Sequence, residues 1–384
     1  MESSFKLGRV AGIEVGIHYT WLFAFLLIAW SLAGGFFPAN YPGWDAGTYW
    51  VLGIVCALAL FAAVLVHELS HSLVAISRGQ AVRSITLFIF GGVSNLESEA
   101  EAPQDEFLIS IVGPVTSFVL AGVFWLLLHA VSPRNSPLGA ALSYLAFINL
   151  LLGVFNLVPG FPLDGGRVLR SIIWATTGSL RRATDIASFV GQGVGFLLIL
   201  WGVSRLFGGD FLGGLWIAFI GWFLNNAAEA TRQQQVLRED LRGIRVAEVM
   251  NPHPPLTGPE TTVQEFVFDR VLREGERAVL VADQGALLGI VSITDAKSLP
   301  QQDWATTPVR AIMTPTPLKT VSADDDLNGA LKLLVEGTLN QLPVLRAGQV
   351  VGLLSRSDVL RFLQLREELH IRQMPGRAPR SAAV

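Results

Sequence analysis

Three features of the sequence predict a multi-pass α-helical membrane protein followed by an α/β module built from two repeats. Six apolar stretches approach the roughly 20 residues that a helix needs to cross about 30 Å of hydrocarbon. Charged residues make up only 15% of the chain and apolar residues 51%, whereas soluble proteins carry about 25% charged residues. Beyond residue 230 the composition turns soluble, and two landmarks recur at one offset: Met250 and Met313, like Gly289 and Gly352, stand 63 positions apart.

The spans are expected near residues 17–37, 50–76, 107–130, 138–158, 186–204 and 211–228. The first is longer than the roughly 7–15-residue core of a secretory signal, so it reads as a span that stays in place. Pro159, Gly160 and Pro162 interrupt the fourth, and helix resumes around Gly166 to Thr176. Gly208 and Gly209 join the last two closely. Lys and Arg collect on the cytoplasmic side of a membrane. With six spans both ends share one side, which receives Lys6, Arg9, Arg78, Arg83, Arg167, Arg170, Arg181, Arg182, Arg232 and Arg238. The other receives Arg134 and Arg205. Both termini are therefore expected in the cytoplasm.

Between the second and third spans, Ile85 to Phe90 is β-prone and Gly91-Gly92 breaks the run. A short hairpin or re-entrant strand beside the second span would offer an edge to an extended peptide. An ordinary cytoplasmic loop with an acidic end is the alternative. The formal charge of -3 and the lack of a basic-aromatic patch argue against a nucleic-acid partner. One cysteine, Cys56, excludes disulfides within the chain and cysteine zinc sites, and reads as packing inside a span.

The chemistry concentrates at the end of the second span, in His67-Glu68-Leu69-Ser70-His71. Ionisable groups on a membrane helix cost about 2.5–3.5 kcal/mol each on insertion scales, which makes them functional suspects. Two histidines four apart project from one helix face, where their imidazoles can hold one zinc ion with Glu68 as general base. A catalytic zinc needs a third protein ligand and an open position. Asp164, in Asn156-Leu-Val-Pro-Gly-Phe-Pro-Leu-Asp164-Gly-Gly, is the best candidate, with a helix N-cap as its alternative role. Asn156 is a candidate to hydrogen-bond substrate or a developing oxyanion, or to pack between helices.

These motifs together, over roughly residues 10 to 230, resemble the site-2 protease family of intramembrane zinc metalloproteases. The resemblance implies one zinc per chain held by His67, His71 and Asp164, Glu68 as catalytic acid/base, and Asn156 at the active site. It also implies a Gly91-Gly92 segment near the substrate strand and, as substrate, a membrane-anchored protein such as an anti-sigma factor. His18 resembles the branch of the family with appended nucleotide-binding domains; an interfacial histidine is its other reading.

The repeats, with Gly289/Ser292/Asp295 matching Gly352/Ser355/Asp358, resemble paired CBS domains. That resemblance implies ATP or another adenosine nucleotide as ligand and a homodimer through the pair. A Ser hydroxyl near a helix N-terminus can meet phosphate, and the Asp can accept from ribose hydroxyls. Ser-x-x-Asp is equally a capping box. The expected divisions are 1–230 for the protease domain, 231–242 for a linker, 243–303 and 304–366 for the CBS domains, and 367–384 for a disordered tail. The linker's polar run could continue the last span as a helix and transmit movement.

Three alternatives remain, of which an inactive scaffold is disfavoured because His67, Glu68, His71 and Asp164 are all present. A nucleotide-regulated channel or transporter explains the spans and repeats but not the histidine motif with Asp164. A zinc protease of another family would draw a third ligand from Glu97, Glu99, Glu101 or Glu106, which lie in a polar loop without a helical frame.

Overall fold

The computed structural model of the protein describes residues 4–89, 91–96, 100–130, 135–241, 243–284, 286–337 and 339–369. Arg134, Glu97, Glu99 and positions 370–384 of the expected tail lie outside the described residues. The chain divides into two compact units, Met1–Val236 and Leu237–Val384.

The first unit opens with a hairpin, β1 (Phe5–Val10) and β2 (Ile13–Ile17), turned at Ala11 and Gly12 with φ of 51° and 84°. Ile17 therefore ends a strand instead of opening the first span. Ile13 and Val15 bury alternate positions of β2, and Ile17 is in register with Leu87. Next come α1 (Thr20–Asn40), wound as a π-helix over Leu32–Phe36, and α2 (Ala46–Ser77). Asp45 caps α2 by accepting from the Thr48 N–H at 3.1 Å. At 32 residues, α2 is about 48 Å long, more than the hydrocarbon requires. Its approach to α1 depends on Gly53, where a Cβ would stand 2.6 Å from the Ala29 carbonyl oxygen.

After α2 the chain returns to the sheet as β3 (Val82–Phe88) and β4 (Gly91–Leu96). The order is β1-β2-β3-β4, with β2 and β3 parallel and the outer pairs antiparallel, so β4 forms one edge. Gly91 and Gly92, expected to break the β-prone run, begin the return strand, and Gly91 has a φ of 131° that favours glycine.

The remaining helices are α3 (Pro103–Ala130), α4 (Pro137–Asn156), the short α5 (Asp164–Thr177), α6 (Leu180–Phe207) and α7 (Phe211–Leu241), whose residues from Leu237 on belong to the second unit. Helices α1 to α4, α6 and the Phe211–Leu237 part of α7 are long and apolar enough to cross a bilayer, and the protein is a multi-pass membrane protein. Helix resumes at Asp164, with Leu163 as its extended N-cap. Helix α6 starts earlier than its apolar stretch because Ser179 caps it ahead of Arg181 and Arg182.

The second unit holds two sheets, β5 (Leu256–Thr257), β6 (Ala278–Asp283), β7 (Ala286–Ser292) and β8 (Thr314–Pro315) in that order, and β9 (Val321–Ser322), β10 (Gln341–Arg346) and β11 (Gln349–Ser355) in the order β11-β10-β9. The short helix α8 (Ile293–Lys297) follows β7; α9 (Leu327–Glu336) precedes β10, and α10 (Arg356–Glu368) follows β11. The cores exchange their leading segments. Val246, at the start of the first repeat, packs with Val321, Leu342, Val344 and Leu354 of the second. Val309, at the start of the second, packs with Val279, Val281 and Val291 of the first. Met250 lies against Gly352 and Met313 against Gly289.

Leu241 is fully buried in the second-repeat core. Its truncation in Leu241→Ala is expected to cost about 2–5 kcal/mol. Hydrogen exchange should show protection lost in β10 and β11 while β6 and β7 keep theirs.

Candidate metal centre

His67 and His71 lie on the inner face of α2 near its C-terminal end, both buried, at 4% and 6% exposure. Their Nδ1 atoms are engaged from one helix: the Ser117 hydroxyl lies 2.9 Å from His67 and the Ile109 carbonyl accepts from His71 at 2.5 Å. Those contacts direct both Nε2 atoms inward, 3.1 Å apart. Asp164 Oδ2 lies 3.1 Å from the first and 3.2 Å from the second. Asp164 arrives there as the first residue of α5, after a tight loop in which Gly165 and Gly166 press on the backbone of 157–161 with no room for a Cβ.

This donor set fits a metal ion. With Nδ1 of His71 donating to a carbonyl, its Nε2 carries a lone pair aimed at a second nitrogen and a carboxylate oxygen. Three electron-rich atoms so close repel unless positive charge stands among them. For zinc bonds of about 2.0–2.1 Å, tetrahedral ligand atoms stand roughly 3.3–3.4 Å apart, near the separations found. Among the described residues, this is the group of three His, Cys, Asp or Glu side chains that could hold a metal.

The helix opposite supplies more than hydrogen bonds. Ile109, Gly113 and Ser117 are spaced by four along α3, one above another on a face. A Cβ on Gly113 would overlap Nε2 of both histidines. Gly113 and Ser117 at this spacing were the part of the wall legible in the sequence, and they were missed; the Ile109 contact is a backbone carbonyl, which no side-chain pattern encodes.

Glu68 is half-buried beside the pair. The Ser94 hydroxyl donates to its Oε2 at 3.0 Å, and Ser72 donates to Ser94 at 3.2 Å. Gly92 sits against the Glu68 side chain, where a Cβ would be 3.0 Å from Cδ. Gly92 and Ser94, two apart on β4, thus face the carboxylate. The structure brings the glycine pair and the histidine motif together as a strand against a helix. Ser94 was not singled out from the sequence.

Other expected residues lie elsewhere. The Asn156 amide donates to the Leu152 carbonyl of its own helix at 3.0 Å, not to the histidine–aspartate group. His18 Nδ1 meets the Thr20 hydroxyl at 2.8 Å at the start of α1, and its backbone N–H donates to Leu87 O. Cys56 is buried with Leu52, Tyr144 and Leu145. Glu106, expected in a polar loop, is instead in the first turn of α3 and 1% exposed. It accepts a charge-assisted bond from the Arg170 Nε at 2.6 Å. Burial is possible because the cation comes with it.

In the second unit Ser292 and Asp295 form a reciprocal capping box, and Ser355 donates its N–H and hydroxyl to Asp358 in the same way. Each carboxylate uses Oδ2 for this. Burial, with the charges of Glu274 and Asp358, pushes the Glu276 carboxyl above its usual range.

Residues 55–137 and 132–200 match peptidase family M50, and 246–300 and 309–365 each match the CBS domain. The chain is 36% identical to sll0528 of Synechocystis sp. over 95% of this chain and 96% of that one. The chain belongs to peptidase family M50. It is also 35% identical to Rip3 of Mycobacterium tuberculosis over 95% of this chain and 94% of that one. Both relatives bear the name zinc metalloprotease. The solved site-2 protease from Methanocaldococcus jannaschii matches 59% of this chain and 94% of its own at 28% identity, with a TM-score of 0.42. Membership makes this M50 chain a site-2-type zinc metalloprotease with two CBS domains, and the channel or transporter reading falls.

Gly113→Ala should push the two Nε2 atoms apart. Zinc content of the purified chain, measured by elemental analysis, is expected to fall at least tenfold, with helix content by circular dichroism unchanged.

Proposed function

We propose that the chain is an intramembrane endopeptidase that cleaves peptide bonds within or near the membrane segment of an anchored protein. His67, His71 and Asp164 hold the zinc, and Glu68 is the general acid/base. The observation that carries this reading is the position of Glu68 between the histidine pair and the edge strand β4.

A peptide bond in a helix is shielded by its own hydrogen bonds, so the substrate segment must be drawn out before attack. The outer side of β4 is a template for an added strand. Gly92 leaves room for the Glu68 side chain itself, which keeps the carboxylate close against β4. Zinc, when bound, supplies Lewis-acid polarisation of a carbonyl and makes water more acidic. Glu68 takes the proton of the attacking water and returns it to the leaving nitrogen. Ser94 holds Oε2 in place, which leaves Oε1 for that transfer. Asn156, eight residues before Asp164, serves as a substrate contact from the last turn of α4, its amide oxygen available while its N–H is on Leu152.

The basic residues near the ends of α2, α5 and α6 support a cytoplasmic placement of the HELSH end and of both termini. A single-span anchored protein, such as an anti-sigma factor, fits a site near that face. The CBS pair is proposed to bind an adenosine nucleotide, with Oδ1 of Asp295 or Asp358 left for a ribose hydroxyl. Such a ligand changes cleavage only by binding two arrangements of the module with different affinity.

Glu68→Gln is expected to keep zinc and fold while lowering cleavage about 100- to 10,000-fold. Comparing the membrane proteomes of cells carrying the wild type and Glu68→Gln should show the uncut substrate accumulating in the variant; equal cleavage would remove Glu68 from the chemistry. For regulation, cleavage in detergent with and without saturating ATP should differ for the wild type and not for Asp295→Ala. Rates independent of ATP would leave the module structural.

A further inference from the structure

The metal-centre reading leaves unanswered what sets Asp164 at its distance from the histidines. The histidines ride on α2 and their Nδ1 partners on α3, but Asp164 comes from a separate loop and the start of α5. Six residues beyond Asp164, about 9 Å along the helix, α5 carries Arg170, 9% exposed. Its Nε and Nη2 both donate to Oε1 of Glu106. The Phe161 ring lies under the guanidinium, 5.1 Å from Cζ to the ring centre. Phe161 belongs to the loop that delivers Asp164, and its N–H is held by the Ala187 carbonyl of α6 at 3.2 Å.

Glu106 stands three residues before Ile109, the carbonyl that orients His71, and eleven before Ser117, which contacts His67. One helix therefore carries the fixing points of all three donor side chains: Ser117 and Ile109 directly, and Glu106 for Asp164 through Arg170. We propose that Arg170 is a positioning residue: by pairing with buried Glu106 over Phe161, it sets the Asp164 carboxylate against His67 and His71. This rests on the metal-centre reading above. A buried ion pair is about as stable as an apolar pair of similar volume, so the function of this one lies in geometry. A guanidinium bound at two nitrogens fixes direction as well as distance, as an apolar contact does not.

The test uses the full chain in detergent, with zinc release to a chelator and the visible spectrum of the cobalt(II)-substituted protein as readouts. Arg170→Met is expected to release zinc at least tenfold faster and to shift the cobalt bands, with Arg170→Lys partly restoring both. Because a lone buried Glu106 carboxylate destabilises the single variant, the apolar pair Glu106→Leu with Arg170→Met is measured too. It should melt near the wild type and still release zinc at least tenfold faster. A paired variant with wild-type release and spectrum would overturn the proposal. His67→Ala separates the two readings: if it holds zinc as well as the wild type does, the metal centre itself fails.

Discussion

Two imidazole nitrogens and a carboxylate oxygen, mutually within 3.2 Å at the end of a membrane helix, are the constraint on which the rest of the first unit depends. Lone pairs that face one another are repulsive, and a low-dielectric surrounding magnifies the repulsion. The arrangement is held by parts that are individually ordinary. Helix α3 meets the imidazoles with a carbonyl, a glycine and a hydroxyl at four-residue spacing. The loop from 157 to 163 reaches them only because Gly160, Gly165, Gly166 and Gly191 let backbones pack directly on one another. Rigid geometry at a cation-binding point is thus bought with small residues around it.

The β-sheet is the second requirement. Non-helical backbone in a membrane unit is tolerated where its polar groups are paired or meet water, and the four strands pair all but the two edges. One of those edges runs past Glu68. The parallel partnership of β2 and β3 is closed by α1 and α2 between them, so the strand near the carboxylate and the helix that carries it are parts of one folding unit. On the proposed function, a substrate segment that arrives as a helix would be drawn out against such an extended surface.

In the second unit, exchange of leading segments means that neither repeat owns its core. Leu241, Ile244 and Val246 complete the second repeat, and Val309 completes the first. A ligand that alters one core therefore acts on chain that enters through the other. The Ser-x-x-Asp pairs that resemble nucleotide contacts also cap helices, and the two roles are compatible because capping engages one carboxylate oxygen of each Asp.

The sequence by itself determined the six spans, the repeat at an offset of 63, the histidine pair and the acid, Asp164, that lies beside it. These were legible because each is local: apolar length, helical spacing of four, or recurrence along the chain. The β1–β2 hairpin was missed although Ile13 and Val15 alternate, because an apolar run immediately after it drew the boundary of the span too early. Gly91 and Gly92 were read as a break when they begin a strand, since the reason for glycine at 92, the Glu68 side chain, lies on another element. Glu106 looked like one acid among several until Arg170, 64 positions away, was seen to neutralise it. Only the tertiary structure decided which distant groups face His67, His71 and Glu68, because a side chain's partner across a helix interface depends on packing that no local pattern encodes.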